Sequence, residues 1–159
     1  MRTPHEPGAR PRHDAPSPQP APELHETGAF PREARIRRRW EFDRIHRDGL
    51  RVRTPGFTVV AHKTLTGSRA RFGCAVSRKV GKAVIRNRIR RMMKELFRRT
   101  AADLPPVDLV VVVRPEAARY AALGLDDIGQ ELLPALHTAA RRVMTHKSRP
   151  RRGPGGRRR

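Results

Sequence analysis

The fold of this chain is decided by residues 77–99, which read SRKVGKAVIRNRIRRMMKELFRR. Apolar residues recur in this stretch at spacings of three and four, which is the period of an amphipathic helix. They are Ile85, Ile89, Met92, Met93, Leu96 and Phe97. At about 100° per residue these side chains form one stripe that is about 140° wide. The sequence therefore predicts a helix that follows a turn at Gly81 and buries this stripe.

The opposite side of the predicted helix is almost entirely cationic. Residues 77–99 contain ten basic residues and a single acid, Glu95. Like charges three or four residues apart destabilise a helix by about 0.2–0.5 kcal/mol per pair, so local stability does not favour this arrangement. A merely solvated face ordinarily mixes both signs. We interpret the face as a surface for a polyanion, and the turn at Gly81 as a phosphate site beside a helix N-terminus.

The composition agrees with a nucleic-acid partner. The 159 residues are 36% hydrophobic and 4% aromatic, which indicates one domain with a small core and additional tails. A net charge of +21 indicates that the partner is a nucleic acid or an anionic membrane surface. No apolar run approaches the roughly 20 residues that span a bilayer, and we expect no membrane partner. A single cysteine fits a reducing cytoplasm, where we expect the protein. The single cysteine, Cys74, excludes an internal disulfide and is expected to be a buried core thiol.

The rest of the chain predicts an α+β domain in the order α-β-β-β-α-β-α, with about four strands packed by the central basic helix. The first helix is expected over 40–49 and should end with Gly49 in a left-handed conformation. Strands are expected over 51–53, 57–62, 71–76 and 107–113, the last as a buried central strand. Asp126 or Asp127 should cap the last helix, which Pro134 either kinks or delays.

The domain boundaries follow from proline and charge content. Residues 1–31 are rich in proline and lack periodicity, so we predict a disordered extension. Residues 32–145 form the predicted domain, and residues 146–159 form a flexible basic tail that contacts RNA nonspecifically.

The sequence lacks a constellation of residues for chemistry by the protein alone. Gly81-Lys82 is not a P-loop, because Ala83 stands where that motif needs Ser or Thr. One cysteine cannot build a zinc ribbon. No carboxylate pair indicates a two-metal nuclease site, and we interpret Asp103 as a loop residue and Asp108 as a strand-edge charge. We predict no catalytic residue and no metal ligand, hence a binding protein.

The run VSRKVGKAV at 76–84, followed by RNRIRR at 86–91, resembles the signature of the protein component of bacterial ribonuclease P. The similarity extends from about residue 35 to about residue 143. The resemblance implies a left-handed crossover around the basic helix. It also implies that the chain is the protein subunit of an endoribonuclease ribonucleoprotein that removes the 5′ leader from precursor tRNA. In that family the RNA subunit performs the hydrolysis with Mg²⁺, and the protein alone binds no cofactor.

The resemblance also implies two RNA-binding regions. Ribonuclease P RNA is expected against the basic helix and its preceding turn, at Arg78, Lys79, Lys82, Arg86, Asn87, Arg88, Arg90, Arg91, Lys94 and Arg98. For Asn87 two roles stay open, a hydrogen bond to a sugar or base edge and a cap on the local backbone.

The second implied region is a cleft for the precursor tRNA leader, lined by Phe42, His46, Thr58 and Val60. Phe42 would stack on a base, a contact worth about 1–3 kcal/mol. His46 stands where the family often has another Phe, and Val60 stands where some members have an aromatic residue. The small Gly73 and Ala75 are expected to leave open floor space on the neighbouring strand. The alternative function is a basic ribosomal or nucleoid-type nucleic-acid-binding protein without a processing role.

Overall fold

The structure, a computed structural model, describes residues 30–65, 67 and 69–146. Its elements are α1 (Arg39–Asp48), β1 (Leu50–Arg53), β2 (Phe57–Lys63), β3 (Arg71–Val76), α2 (Ala83–Thr100), β4 (Val107–Val113), α3 (Tyr120–Leu123) and α4 (Leu125–Thr145). The predicted α+β class and element order are confirmed, with α3 as one additional turn of helix. The predicted disorder of the proline-rich extension and of the basic tail concerns residues that lie almost entirely outside the described ones.

The four strands form one mixed sheet in the order β1-β2-β4-β3. β2 pairs antiparallel with β1 and β4, and β3 pairs parallel with β4. Parallel neighbours need a crossover connection, and α2 provides it between β3 and β4. The Val-rich run of β4 therefore becomes a central strand, as its continuous β-branched sequence predicts. The left-handedness of this crossover stays a prediction.

The two faces of the sheet are covered by different helices. On one face, Phe57 and Val59 of β2 join the main core, to which α2 and α4 contribute Phe97 and Leu132. On the other face, Val60 packs in a smaller core beneath α1. The alternation predicted for β2 thus sends successive side chains to two different helical layers.

The ends of two helices differ from their predictions. Gly49 follows α1 with φ −77° and ψ 156°, which is extended backbone, so the predicted left-handed conformation is wrong. Glycine is needed there for space, because a Cβ would lie 2.4 Å from the carbonyl oxygen of Ile45. α4 begins at Leu125 after Gly124, whose φ is +125°, and neither predicted aspartate caps it. Pro134 lies inside α4 and does not delay its start.

The packed domain begins earlier than the predicted boundary at residue 32. Phe30 is buried, and its ring makes edge-to-face contacts with Phe72 and Phe97 at centroid distances of 6.3 and 5.4 Å. The following segment runs along the outer edge of β3, where the amide of Phe72 donates to the carbonyl of Ala34 at 2.7 Å. The amide of Ile36 in turn donates to the carbonyl of Phe72 at 2.9 Å. Residues 30–36 are therefore an integral part of the domain.

Within the described part of the chain, every helix is too short or too polar to cross a bilayer.

Candidate nucleic-acid interface

The apolar stripe of α2 is buried as the sequence predicts. Ile89, Met93 and Phe97 are fully buried, and Leu96 is nearly so. This stripe packs in the main core with residues of β3 and α4. Because one side of an amphipathic helix is fixed to the core, the opposite, cationic side must face solvent.

The exposed side of α2 and its preceding turn carry positive charge that the domain does not compensate. The exposed cations are Arg78, Lys79, Lys82, Arg88, Arg91 and Lys94. In the described part of the chain, none of these six side chains forms an ion pair. Arg86 is half-buried, and its Nε atom has no hydrogen-bond partner among the described residues. We refer to these seven residues as the α2 cationic surface.

The C-terminal end of α2 is different, because Glu95 neutralises part of its charge. Arg98 and Arg99 each donate to a carboxylate oxygen of Glu95 at 2.8 Å. The hydrogen bond from Arg98, followed by the one from Arg99, lowers the pKa of Glu95 to about 2. Arg98, which the sequence groups with the RNA-binding residues, therefore has an acidic partner within the chain. The uncompensated charge lies in the preceding turn and the first three turns of the helix.

Asn87 and Arg90 have structural contacts that the sequence did not predict. Arg90 Nη1 donates to Asn87 Oδ1 at 3.1 Å, and Arg90 Nη2 donates to the carbonyl of Val76 at 3.3 Å. Asn87 thus holds an arginine against the end of β3 instead of capping the backbone. Its amide nitrogen remains at the surface, since Asn87 is exposed.

The N-terminus of α2 has the geometry of an anion site. Gly81 adopts φ +145°, a conformation that favours glycine, and Lys82 precedes the helix in an extended conformation. Lys82 makes no side-chain cap, so among the described residues the backbone N–H groups of the first turn have no capping acceptor. The short 3-10 turn Arg78–Val80 places further cations beside them. Amide donors, the helix dipole and lysine charge therefore coincide at this end.

The face of the sheet beneath α1 is only partly open. Val60 is fully buried with Ile45 and Val110, so the prediction that it lines the cleft is wrong. Strand alternation places Val60 on this face correctly, but α1 covers it. The floor space expected at Gly73 is also filled, because a Cβ there would lie 2.8 Å from Cζ of Phe42.

The open part of this face lies two residues along each strand from the pair Val60 and Val110, at the end of the sheet where β2 begins. Thr58 pairs with Val112 on β4, and Val112 pairs with Ala75 on β3. All three are half-buried, as are Phe42 and His46, which share one flank of α1 at a spacing of four residues. We refer to these five residues as the α1 cleft. Sequence reasoning missed Val112. Alternate residues of a strand share a face, so Val112 lies on the same face of β4 as Asp108, which contacts α1.

Buried charges fix α1 over the sheet. Asp108 is fully buried and accepts two hydrogen bonds from Arg71, both at 2.9 Å, and one from Arg44 at 3.0 Å. Arg71 also donates to Glu41 at 2.7 Å, and Glu41 accepts from the amide of Arg38 at the start of α1. The interpretation of Asp108 as a strand-edge charge is therefore wrong, because two guanidinium groups allow its burial.

These contacts affect the ionisation of the buried network. The hydrogen bonds that Arg71 donates to Asp108, and then the one that it donates to Glu41, outweigh burial and raise the pKa of Arg71 above its usual range. Burial alone would raise the pKa of Glu41, but the hydrogen bond from Arg71 and the backbone donors lower it. Glu41 and Arg71 are therefore both charged near neutral pH.

The described residues contain no group of His, Cys, Asp and Glu side chains that could hold a metal ion. Cys74 is half-buried, and burial raises the pKa of its thiol to about 12. A thiol with so little thiolate is a poor nucleophile, which agrees with the predicted packing role.

A profile of the family described as Ribonuclease P matches residues 30–139 of this chain. The ribonuclease P protein component of Desulfovibrio desulfuricans is 45% identical over 115 residues, which are 72% of this chain and 88% of the relative. The ribonuclease P protein component of Thioalkalivibrio sulfidiphilus is 38% identical over 87 residues, 54% of this chain and 72% of the relative.

Solved structures of the same family share the fold. The RNase P protein from Thermotoga maritima superposes with a TM-score of 0.60 at 30% identity, covering 65% of this chain and 96% of its own. The Staphylococcus aureus RNase P protein gives a TM-score of 0.60 at 29% identity, covering 67% of this chain and 94% of its own.

Proposed function

Because this chain belongs to the ribonuclease P protein family, we propose that it binds ribonuclease P RNA through the α2 cationic surface and the 5′ leader of precursor tRNA in the α1 cleft. The chain is the protein subunit of an endoribonuclease holoenzyme. Family membership argues against the alternative of a ribosomal or nucleoid-type protein without a processing role.

One observation carries the proposal for the RNA subunit. Six exposed cations of the α2 cationic surface have no acidic partner among the described residues, although the chain uses acids elsewhere to pair its arginines. Folded RNA supplies the missing negative charge, and each phosphate contact releases condensed counterions. The uncapped N-terminus of α2 adds backbone donors for one further phosphate.

The α1 cleft is suited to a single strand. Phe42 and His46 form its wall on α1, and aromatic rings of this kind stack on bases without strong sequence preference. Its floor is formed by Thr58, Val112 and Ala75, whose partial exposure leaves a strip of sheet surface that a single strand can contact. Arg53 pairs with Thr58 on the neighbouring strand β1 and places a cation at the rim.

We expect the RNA subunit to carry out the hydrolysis with Mg²⁺. The protein would reduce repulsion between two polyanions, which supports metal binding by the RNA at lower Mg²⁺ concentration. The test compares cleavage of precursor tRNA by the full-length protein, by ribonuclease P RNA, and by both together over a Mg²⁺ titration. We expect no cleavage by the protein alone and a lower Mg²⁺ requirement for the mixture than for the RNA. An unchanged Mg²⁺ requirement would contradict the proposed role.

A charge-matched pair of variants tests the α2 cationic surface. Arg88→Gln with Arg91→Gln lowers the net charge by two, and so does Gln130→Glu with His137→Glu on the exposed side of α4. The first pair should reduce the slope of log affinity against log salt by about 0.7–0.9 per lost phosphate contact, for binding to ribonuclease P RNA. The control pair should leave the slope near that of the unmodified chain. Equal effects of both pairs would refute a specific role for α2.

A further inference from the structure

A second basic depression lies at the end of the sheet away from the α2 N-terminus. β1 begins there and β2 ends there, between the C-terminal ends of α1 and α4, around a cavity of about 600 Å³. Its floor is apolar and comes from Leu50, Ala61 and Val143. Its mouth is formed by Arg47, Arg51, His62, Lys63 and His146, with Asp48 as the acid among the lining residues. We refer to this feature as the β1–β2 pocket.

Two of the cations have a structural explanation. Arg51 donates to the carbonyl of His46 and so satisfies the C-terminal end of α1. Arg47 donates through Nε to Asp48 at 3.3 Å. Each guanidinium carries five N–H donors, so both keep donors that can face the cavity. Positive charge at a helix C-terminus also complements the helix dipole, which accounts for Arg47 and Arg51.

That explanation does not extend to Lys63. Lys63 is the last residue of β2, belongs to no helix, and is exposed. Among the described residues its ammonium group forms neither a hydrogen bond nor an ion pair. The neighbouring His62 places Nδ1 2.8 Å from the carbonyl of Lys63, which leaves Nε2 for another partner. The unpaired ammonium group of Lys63 therefore lines the same cavity as the arginines of α1 and β1.

The pocket and the α2 N-terminus lie at opposite ends of the sheet, so an extended ligand such as RNA could contact both. β2 and β4 are paired over seven residues, which at about 3.3 Å per residue corresponds to about 20 Å along the sheet. The α2 N-terminus follows β3 at one end of this distance, and the pocket lies at the other. After His146, at the rim of the pocket, the sequence continues with thirteen residues that include seven cations and no acid.

We propose that the β1–β2 pocket is a third RNA-binding site, which takes a backbone phosphate of an RNA segment distinct from those on the α2 cationic surface and in the α1 cleft. The inference rests on the proposed function insofar as the partner is RNA. Lys63 supplies the principal charge, and His146 supplies a hydrogen-bond donor at the rim of the same cavity.

The first test measures the salt dependence of binding for Lys63→Glu, with ribonuclease P RNA and precursor tRNA examined separately. Lys63→Glu changes the net charge by two, as does the control pair Gln130→Glu with His137→Glu. Loss of one phosphate contact should reduce the slope by about 0.7–0.9 for the RNA that occupies the pocket, beyond any effect of the control. The RNA that shows the change identifies the source of the phosphate.

The outcomes separate this inference from the proposed function. If Arg88→Gln with Arg91→Gln reduces the slope and Lys63→Glu does not differ from the control, the pocket is not an RNA site and the proposed function stands. If neither variant reduces the slope, both proposals fail.

A second measurement needs no variant and therefore does not depend on correct folding of Lys63→Glu. Pyrophosphate is titrated into the unmodified chain, and the ring signals of its histidines are followed by NMR. We expect saturable shifts for His62 and His146 that exceed the shift of His137, which is exposed on α4 outside the pocket. Shifts of His62 and His146 no larger than that of His137 would overturn the inference.

Discussion

Replacing Asp108 by asparagine tests how the buried charges hold α1 on the sheet. The carboxylate of Asp108 is fully buried and accepts three hydrogen bonds from Arg71 and Arg44, whose side chains are 13% and 14% exposed. Asparagine has nearly the same shape but removes the negative charge and turns one acceptor into a donor. Two guanidinium groups would then face a neutral amide in a site from which water is largely excluded.

The expected cost follows from these contacts. Removing one partner of a buried ion pair destabilises a protein by about 3–5 kcal/mol, because the remaining charge stays buried without compensation. Here Arg71 keeps its hydrogen bond to Glu41, and the asparagine oxygen still accepts one bond. We therefore expect the lower end, about 3 kcal/mol. A domain of this size has a free energy of unfolding of about 5–15 kcal/mol, so the loss is a large fraction of its stability.

The assay is urea unfolding of Asp108→Asn beside Asp103→Asn, an exposed acid on the 3-10 turn after α2. Asp103→Asn should change the free energy of unfolding by less than about 0.5 kcal/mol. Asp108→Asn should also weaken leader binding, since α1 forms one wall of the α1 cleft, and leave binding through α2 unchanged in the folded fraction. A loss of less than about 1 kcal/mol for Asp108→Asn would refute the view that this network anchors α1.

Three further predictions follow from the packing of other residues. Gly73→Ala should lower the free energy of unfolding by about 1–3 kcal/mol and weaken leader binding, because the new Cβ displaces the ring of Phe42. Gly67→Ala is the control, since the nearest atom to its new Cβ would be 3.6 Å away, and it should change neither stability nor leader binding. Alkylation of Cys74 by iodoacetamide should be at least about 100-fold slower in the native protein than in concentrated urea, because burial raises the pKa of its thiol to about 12. Equal rates in the two conditions would contradict the burial of Cys74. Burial alone would raise the pKa of Glu131, yet hydrogen bonds from the turn between β1 and β2 and from α3 lower it, so its folded pKa lies below the unfolded value of about 4.5. The stabilisation from Glu131 should be present above that value and decline as the pH falls through the folded pKa, and acid titration of Glu131→Gln should lack this part of the loss.

Local periodicity was sufficient to predict most of the fold. The spacing of Ile89, Met93 and Phe97 defines the buried side of α2 without tertiary information, and the alternation in β2 identifies which side chains share a face. The α2 cationic surface could be predicted for the same reason, since it is the remainder of that helix. Family resemblance supplied the proposed roles.

The errors concern residues whose surroundings come from distant parts of the chain. Asp108 is neutralised by arginines that are 37 and 64 positions away, and no local pattern marks a charge in a β-branched run as buried. Strand alternation predicts the correct face for Val60, but the exposure of Val60 depends on where α1 crosses that face. Gly49 ends α1 as predicted, but in an extended conformation, and it is the close approach of the Ile45 carbonyl and of β2 that requires glycine there.

The pairing of residues 34–36 with β3 has a practical consequence for shortened forms of the protein. An uncovered strand offers its amides and carbonyls to any other extended polypeptide and promotes aggregation. A truncation that starts after Ile36 would remove this natural cover and the aromatic anchor at Phe30 together. Crystallisation or labelling versions should therefore begin no later than Phe30.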